Sequence, residues 1–134
     1  MGIPQGSPLS PILYLFYNAN LIENCAIRSL NSSTIGYVDD TSILVVGKDT
    51  ATNCETLKRI YTEQCVPWTH RFGSVFAPDK FDLVHFVPGR FRTRFDINKP
   101  LHLPGHTVTP KQGVRYLRVY LDSALNWNKH IEQV

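Results

Sequence analysis

Asp39 and Asp40 are the residues of this chain whose type and spacing offer chemistry most directly. They are adjacent carboxylates in Tyr37-Val38-Asp39-Asp40, within a run from Ser33 to Val46 that reads strand, tight turn, strand. An Asp pair held on such a turn can ligate Mg²⁺, and Mg²⁺ bridging phosphate oxygens is the chemistry of nucleotidyl transfer. The first acidic residue is Glu23, so nothing upstream of it adds the further carboxylate that a two-metal site normally needs. Asp is also a common turn former, and the pair alone is explained as well by local hydrogen bonding at a hairpin tip.

The elements that must position this pair are legible on either side of it. From Pro8 to about Arg28 the apolar residues Leu9, Ile12, Leu13, Leu15, Phe16, Leu21, Ile22 and Cys25 fall mostly on one side of a 3.6-residue period, which predicts a helix. Tyr37-Val38 and Ile43-Leu44-Val45-Val46 are β-rich and flank the Asp pair, with Gly36 and Gly47 as punctuation. Thr50 or Thr52 can cap a second helix, in which Cys54, Leu57, Ile60, Tyr61, Cys65 and Trp68 share a face. Pro67 lacks an N–H and its ring presses on the carbonyl of Glu63, so a kink or an early end is expected there. Segments 80–87, 93–103, Val108 and 115–121 carry a β signal broken by Pro88-Gly89, Pro104-Gly105 and Pro110, and 126–134 reads as a short helix.

Composition bounds the answer without choosing it. The chain has 134 residues, 43% of them hydrophobic and 19% charged, which suits one globular unit rather than a disordered segment. A formal net charge of +3 is too small to identify a nucleic-acid partner. Cys25, Cys54 and Cys65 form no C-x-x-C pair and are odd in number, so neither a zinc ribbon nor a closed disulfide framework is indicated, and reduced, mostly buried thiols are expected. The five histidines show no metal-ligand spacing. The most apolar segment is interrupted by Asn18, Asn20, Glu23 and Asn24, far short of a membrane span, and no export signal is visible. A protein that is not secreted is expected, with no membrane and no specific protein partner.

Four ordered blocks add a resemblance. Gly2-Ile3-Pro4-Gln5-Gly6-Ser7-Pro8-Leu9-Ser10-Pro11 precedes Tyr37-Val38-Asp39-Asp40, and Phe76-Ala77-Pro78-Asp79-Lys80 through Phe86 follows it. Last come Tyr116-Leu117-Arg118-Val119-Tyr120-Leu121-Asp122 and then Leu125, Trp127 and His130. This order resembles the reverse transcriptases of non-long-terminal-repeat (LINE-like) retrotransposons, with their G-x-P-Q-G-S-x-x-S-P, Y-x-D-D, F-A-x-x-K and Y-L-G-V-x-L-D segments. The resemblance implies an α+β partial polymerase palm of helix, catalytic β-hairpin, helix and further antiparallel strands, without fingers or thumb. Within a single unit over 1–134 it implies a Pro-Gln-Gly loop and helix at 1–28, the catalytic hairpin at 33–47 and a helix at 50–72. Strands with a primer-grip-like hairpin at 80–122 and the start of a connection to the thumb at 123–134 complete it.

The same resemblance implies an RNA-directed DNA polymerase using Mg²⁺, or Mn²⁺ in its place, with an RNA template, a DNA primer and deoxynucleoside triphosphates. The family's life cycle implies an intracellular location, nuclear or cytoplasmic. Asp39 and Asp40 are the implied catalytic metal ligands. Gln5, Gly6, Ser7, Tyr37, Val38 and Lys80 are the implied nucleotide and template contacts, and Tyr116, Leu117 and Arg118 the primer-grip-like residues. From the residues themselves, Gly6 lets backbone approach a sugar or base and Gln5 offers both donor and acceptor, while a capped helix entrance accounts for the same string. Arg90, Arg92, Arg94, Lys111, Arg115 and Arg118 are candidates for phosphate contacts or simply solvated surface.

Departures from the family pattern shape the expectation for this chain. Arg118 stands where the family has glycine, and Pro67 is unusual in the second helix. In the family an acidic strand with the first metal-binding Asp precedes the Pro-Gln-Gly loop, and the sequence here opens one residue before that loop. The expectation is therefore a fragment that is inactive alone, with exposed strand edges and marginal stability. The alternative is a non-catalytic remnant with at most salt-dependent nucleic-acid binding.

Overall fold

The computed structural model describes residues 10–37, 40–73, 76–91 and 93–133. Along the chain these form α1 (Ser10–Cys25), β1 (Ser32–Tyr37), β2 (Asp40–Val45), α2 (Thr50–Ile60), a π-helical segment (Tyr61–Cys65) and α3 (Val66–Phe72). Then follow β3 (Leu101–Leu103), β4 (His106–Val108), β5 (Gly113–Tyr116), β6 (Val119–Asp122) and α4 (Asn128–Gln133), with short 3₁₀ turns at Arg28–Leu30, Pro78–Lys80 and Gly89–Phe91. The strands pair as three separate antiparallel ladders, β1–β2, β3–β4 and β5–β6. Mixed helices and small antiparallel pairs are compatible with an α+β class. The chain divides into two compact units, residues 1–46 with 60–74 and residues 47–59 with 75–134.

In the first unit, Leu21, Cys25, Ile60, Cys65 and Trp68 are the buried hydrophobic residues. α1 stops without a glycine, and the Ser32 hydroxyl does the capping. It donates to the carbonyl of Cys25 at 2.8 Å and accepts from the N–H of Ile27 at 2.7 Å, taking up groups that the helix end leaves unpaired. Asn31, left-handed at φ 51°, then turns the chain into β1.

Pro67 acts one turn before itself. The Val66 N–H bonds the carbonyl of Tyr61, five residues back, and the wider π turn gives room at the point where a regular helix would press the proline ring onto Glu63. The helix resumes as α3 with Pro67 in its first turn, where no N–H is required, and closes on Gly73 at φ 67°.

In the second unit the buried hydrophobic residues are Cys54, Leu83, Val87, Leu101, Leu103 and Val108. α2 is capped neither by Thr50 nor by Thr52, as the sequence suggested, but by Asp49, whose Oδ1 accepts the N–H of Thr52 at 2.7 Å. That bond, the largest cause, holds the Asp49 carboxyl below its ordinary range.

Segment 80–87 is not a strand. Leu83, His85 and Val87 are buried alternately, as the β signal implies, yet the backbone bonds singly to other loops: Lys111 N–H to Leu83 at 2.8 Å and Val87 N–H to Ser123 at 2.9 Å. The period-2 pattern reports alternate burial and does not by itself create a ladder partner. Of the expected 93–103 strand only Leu101–Leu103 pairs. Asp96 instead accepts the Asn98 N–H at 2.9 Å in a local turn.

Candidate active site

The Asp hairpin is the antiparallel pair β1–β2, running from Ser32↔Val45 to Tyr37↔Asp40. Val38 and Asp39, between Tyr37 and Asp40, lie outside the described residues, as do Gln5, Gly6 and Ser7. Of the residues predicted for the site, the structure therefore brings together Tyr37 and Asp40, which face each other across the last rung of the ladder. Both are exposed, and Ile35 and Leu44 on the same hairpin are exposed as well. β1 and β2 pair with each other and, among the described residues, with no further strand, which leaves edges and an apolar face open to solvent.

The hairpin's other face rests on α1 through residues that sequence reading treated as punctuation or interruption. A Cβ at Gly36 would sit 2.4 Å from Ile22 Cδ1, so glycine is what lets helix and strand approach this closely. Directly across from Gly36, the Thr41 hydroxyl accepts a 3.0 Å hydrogen bond from Asn18 Nδ2. Asn18 is only 2% exposed, so this is a satisfied polar bond inside the helix–hairpin contact. Asn18 and Ile22 are four residues apart on α1 and so project from one face. Together they fix where the strand beginning at Asp40 lies against the helix. The i, i+4 spacing and Gly36 were present as a signal, but an asparagine inside an apolar helix reads as a break in amphipathicity unless its partner is known.

The carboxylate of Asp40 is a hard oxygen donor of the kind Mg²⁺ takes. Among the described residues no group of three or more His, Cys, Asp or Glu side chains is placed to hold a metal ion. Asp40 thus offers one ligand of the right chemistry, and a complete set needs donors beyond the described residues.

The remaining candidates fall in the second unit. Lys80 ends the Pro78–Lys80 turn, exposed, its N–H bonded to the carbonyl of Ala77 at 2.9 Å. Tyr116 and Val119 close the β5–β6 ladder, and Leu117 and Arg118 form its two-residue connection at φ 47° and 69°. Positive φ at both central positions is what a type I′ hairpin turn requires. This turn conformation is by itself a sufficient reason for the glycine that the resembling polymerases carry where Arg118 stands. Arg115 lies over the Tyr120 ring at 5.8 Å, and Tyr120 N–H donates to His130 Nδ1 at 3.4 Å.

Arg90 and Arg94 stack on Phe91 and Phe95 at 4.8 and 5.8 Å, with both arginines exposed. Arg92 lies outside the described residues. His85, by contrast, is a core histidine, its Nε2 2.8 Å from the carbonyl of Lys99. No helix of the described residues is long and apolar enough to cross a membrane.

With this geometry in place, comparison with known proteins gives one distant likeness. The chain is 24% identical over 136 residues, 99% of its length, to the RNA-directed DNA polymerase from mobile element jockey of Drosophila melanogaster. It spans 14% of the length of that relative. This supports a distant relationship to that polymerase, in the same direction as the four motif blocks. No family model matches the chain, and no solved structure matches it.

Proposed function

We propose that this chain is part of the palm of a LINE-like RNA-directed DNA polymerase, with Asp39 and Asp40 as carboxylate ligands of its catalytic Mg²⁺. The observation that carries the reading is the Tyr37↔Asp40 hairpin, seated on α1 by Gly36 and the Asn18–Thr41 bond, in a chain whose likeness to such a polymerase runs along nearly its whole length. Mg²⁺ at such a site would activate a primer 3′-hydroxyl and stabilise the departing pyrophosphate. The protein's part is positional. α1 and β2 hold the Asp40 end of the hairpin in a fixed register, and Tyr37 beside it offers an exposed ring to a sugar or base. Gln5, Gly6 and Ser7 contact template or nucleotide, Lys80 steadies triphosphate charge, and the 116–119 turn touches the primer strand. Template RNA, primer DNA and deoxynucleoside triphosphates are the partners in this reading.

The 134 residues taken alone supply one Asp pair to a site that needs a third carboxylate, so by themselves they do not extend a primer. Primer extension on an RNA template with Mg²⁺ and deoxynucleotides tests this. The expected result is no extension by the 134-residue chain, and extension when a polypeptide bearing an acidic strand is supplied, lost on Asp39→Ala with Asp40→Ala. Extension that survives the double substitution would refute the assignment. A chain that binds template–primer with steep salt dependence, yet never extends it in any complemented form, is the non-catalytic remnant.

A further inference from the structure

The Cys25 and Cys65 thiols meet in the interior of the first unit with their sulfurs 3.6 Å apart, although they are 40 residues apart in sequence. Both are free and buried. We propose that Cys25 and Cys65 are a dithiol that a hydroperoxide converts to a disulfide, clipping α1 to the π-helical segment across the base of the Asp hairpin.

The placement favours this pair over the third cysteine. Cys25 ends α1 and its carbonyl holds the Ser32 hydroxyl, the first residue of β1, so a bond at Cys25 is fixed to the root of the hairpin. Cys65 ends the π-helical segment just before Pro67. The two sulfurs share a hydrogen bond in which either can be the donor, so either can attack first and the other resolve. Cys54 is buried in the second unit with its sulfur 3.8 Å from His85 Nε2 and from the Lys99 carbonyl, and desolvation raises it. It has no thiol beside it and serves as an internal control.

The chemistry balances in two steps. The sulfur of one thiol attacks the terminal oxygen of the hydroperoxide, the O–O bond breaks, that thiol's proton leaves with the alcohol, and the attacking sulfur becomes a sulfenic acid. The second sulfur then attacks the first, the S–O bond breaks, and hydroxide leaves as water with the second thiol's proton. One hydroperoxide is reduced and two thiols are oxidised. The sulfurs must close from 3.6 Å to about 2.05 Å. The loop so closed contains the whole of β1 and β2.

The test treats the folded, reduced 134-residue chain with one equivalent of hydrogen peroxide, blocks remaining thiols after denaturation, and maps the peptides. The expected product has lost two hydrogens, joins the Cys25 and Cys65 peptides, and carries the block on Cys54 alone. Its melting temperature rises by several degrees and returns on reduction. Cys54→Ser leaves this behaviour intact and Cys65→Ser abolishes it. If Cys65→Ser does not fold, the wild-type peptide map together with Cys54→Ser decides. A disulfide to Cys54, a sulfinic acid on either Cys25 or Cys65 beside a free thiol on the other, cross-linking confined to denatured chain, or a cross-link without a melting shift would each overturn the proposal.

Discussion

Replacing Arg118 by glycine should stabilise this protein, and the size of the gain follows from two backbone angles. Leu117 and Arg118 hold φ values of 47° and 69° in the two-residue connection of the β5–β6 hairpin. An L-residue with a Cβ pays about 1–2 kcal/mol for the left-handed region, a cost that glycine avoids. Glycine in turn loses about 0.5–1 kcal/mol through the greater freedom of the unfolded chain. The net expectation for Arg118→Gly is about 1 kcal/mol of added stability, or a melting temperature higher by about 3–5 °C. Arg118→Ala is the control, because alanine removes the exposed guanidinium but keeps the Cβ, and it should stay within about 0.5 kcal/mol of the parent. Urea unfolding at unchanged slope measures both. Equal midpoints for the glycine and alanine variants, or a glycine variant less stable than the parent, would refute the argument that backbone conformation explains the glycine of the family pattern.

Other perturbations test the elements around the site. Gly36→Ala places a Cβ 2.4 Å from Ile22 Cδ1 and should cost about 1 kcal/mol, part of which returns when Ile22→Val removes that methyl; urea midpoints of the two variants check it. Asp49 binds its proton less readily folded than unfolded, so its cap stabilises above the ordinary Asp range and is lost as pH falls through the depressed folded value. Asp49→Ala should therefore lower the melting temperature at neutral pH, and the difference should vanish in strong acid. Tyr116 buries its hydroxyl without a hydrogen-bond partner among the described residues, so Tyr116→Phe should be neutral or stabilise by about 1 kcal/mol; a clear loss in the urea midpoint would show that the hydroxyl is satisfied.

What the sequence made legible was local. The hairpin around Asp40 and the helix before it follow from β-rich runs, glycine punctuation and a 3.6-residue period, because each depends on near neighbours. The consequence of Pro67 was legible in kind and not in form, since the missing N–H does not say whether the helix kinks, stops or widens into a π turn. The 80–87 segment misled because alternate burial is imposed by the core, whereas a strand also needs a partner that the sequence does not name. Asn18 was hidden for the same reason: its value lies in Thr41, 23 residues away. Arg118 was noticed as a departure, and only the backbone angles showed the departure to be conformational.

Whether the Asp pair binds metal is decided by titrating Mn²⁺ into the folded chain and following backbone amide resonances. Paramagnetic broadening is expected to centre on Tyr37, Asp40 and Thr41, to be competed by Mg²⁺ and to be lost when Asp39→Ala and Asp40→Ala are combined. Broadening centred elsewhere, or unchanged at the hairpin in the double variant, would contradict metal binding by the pair.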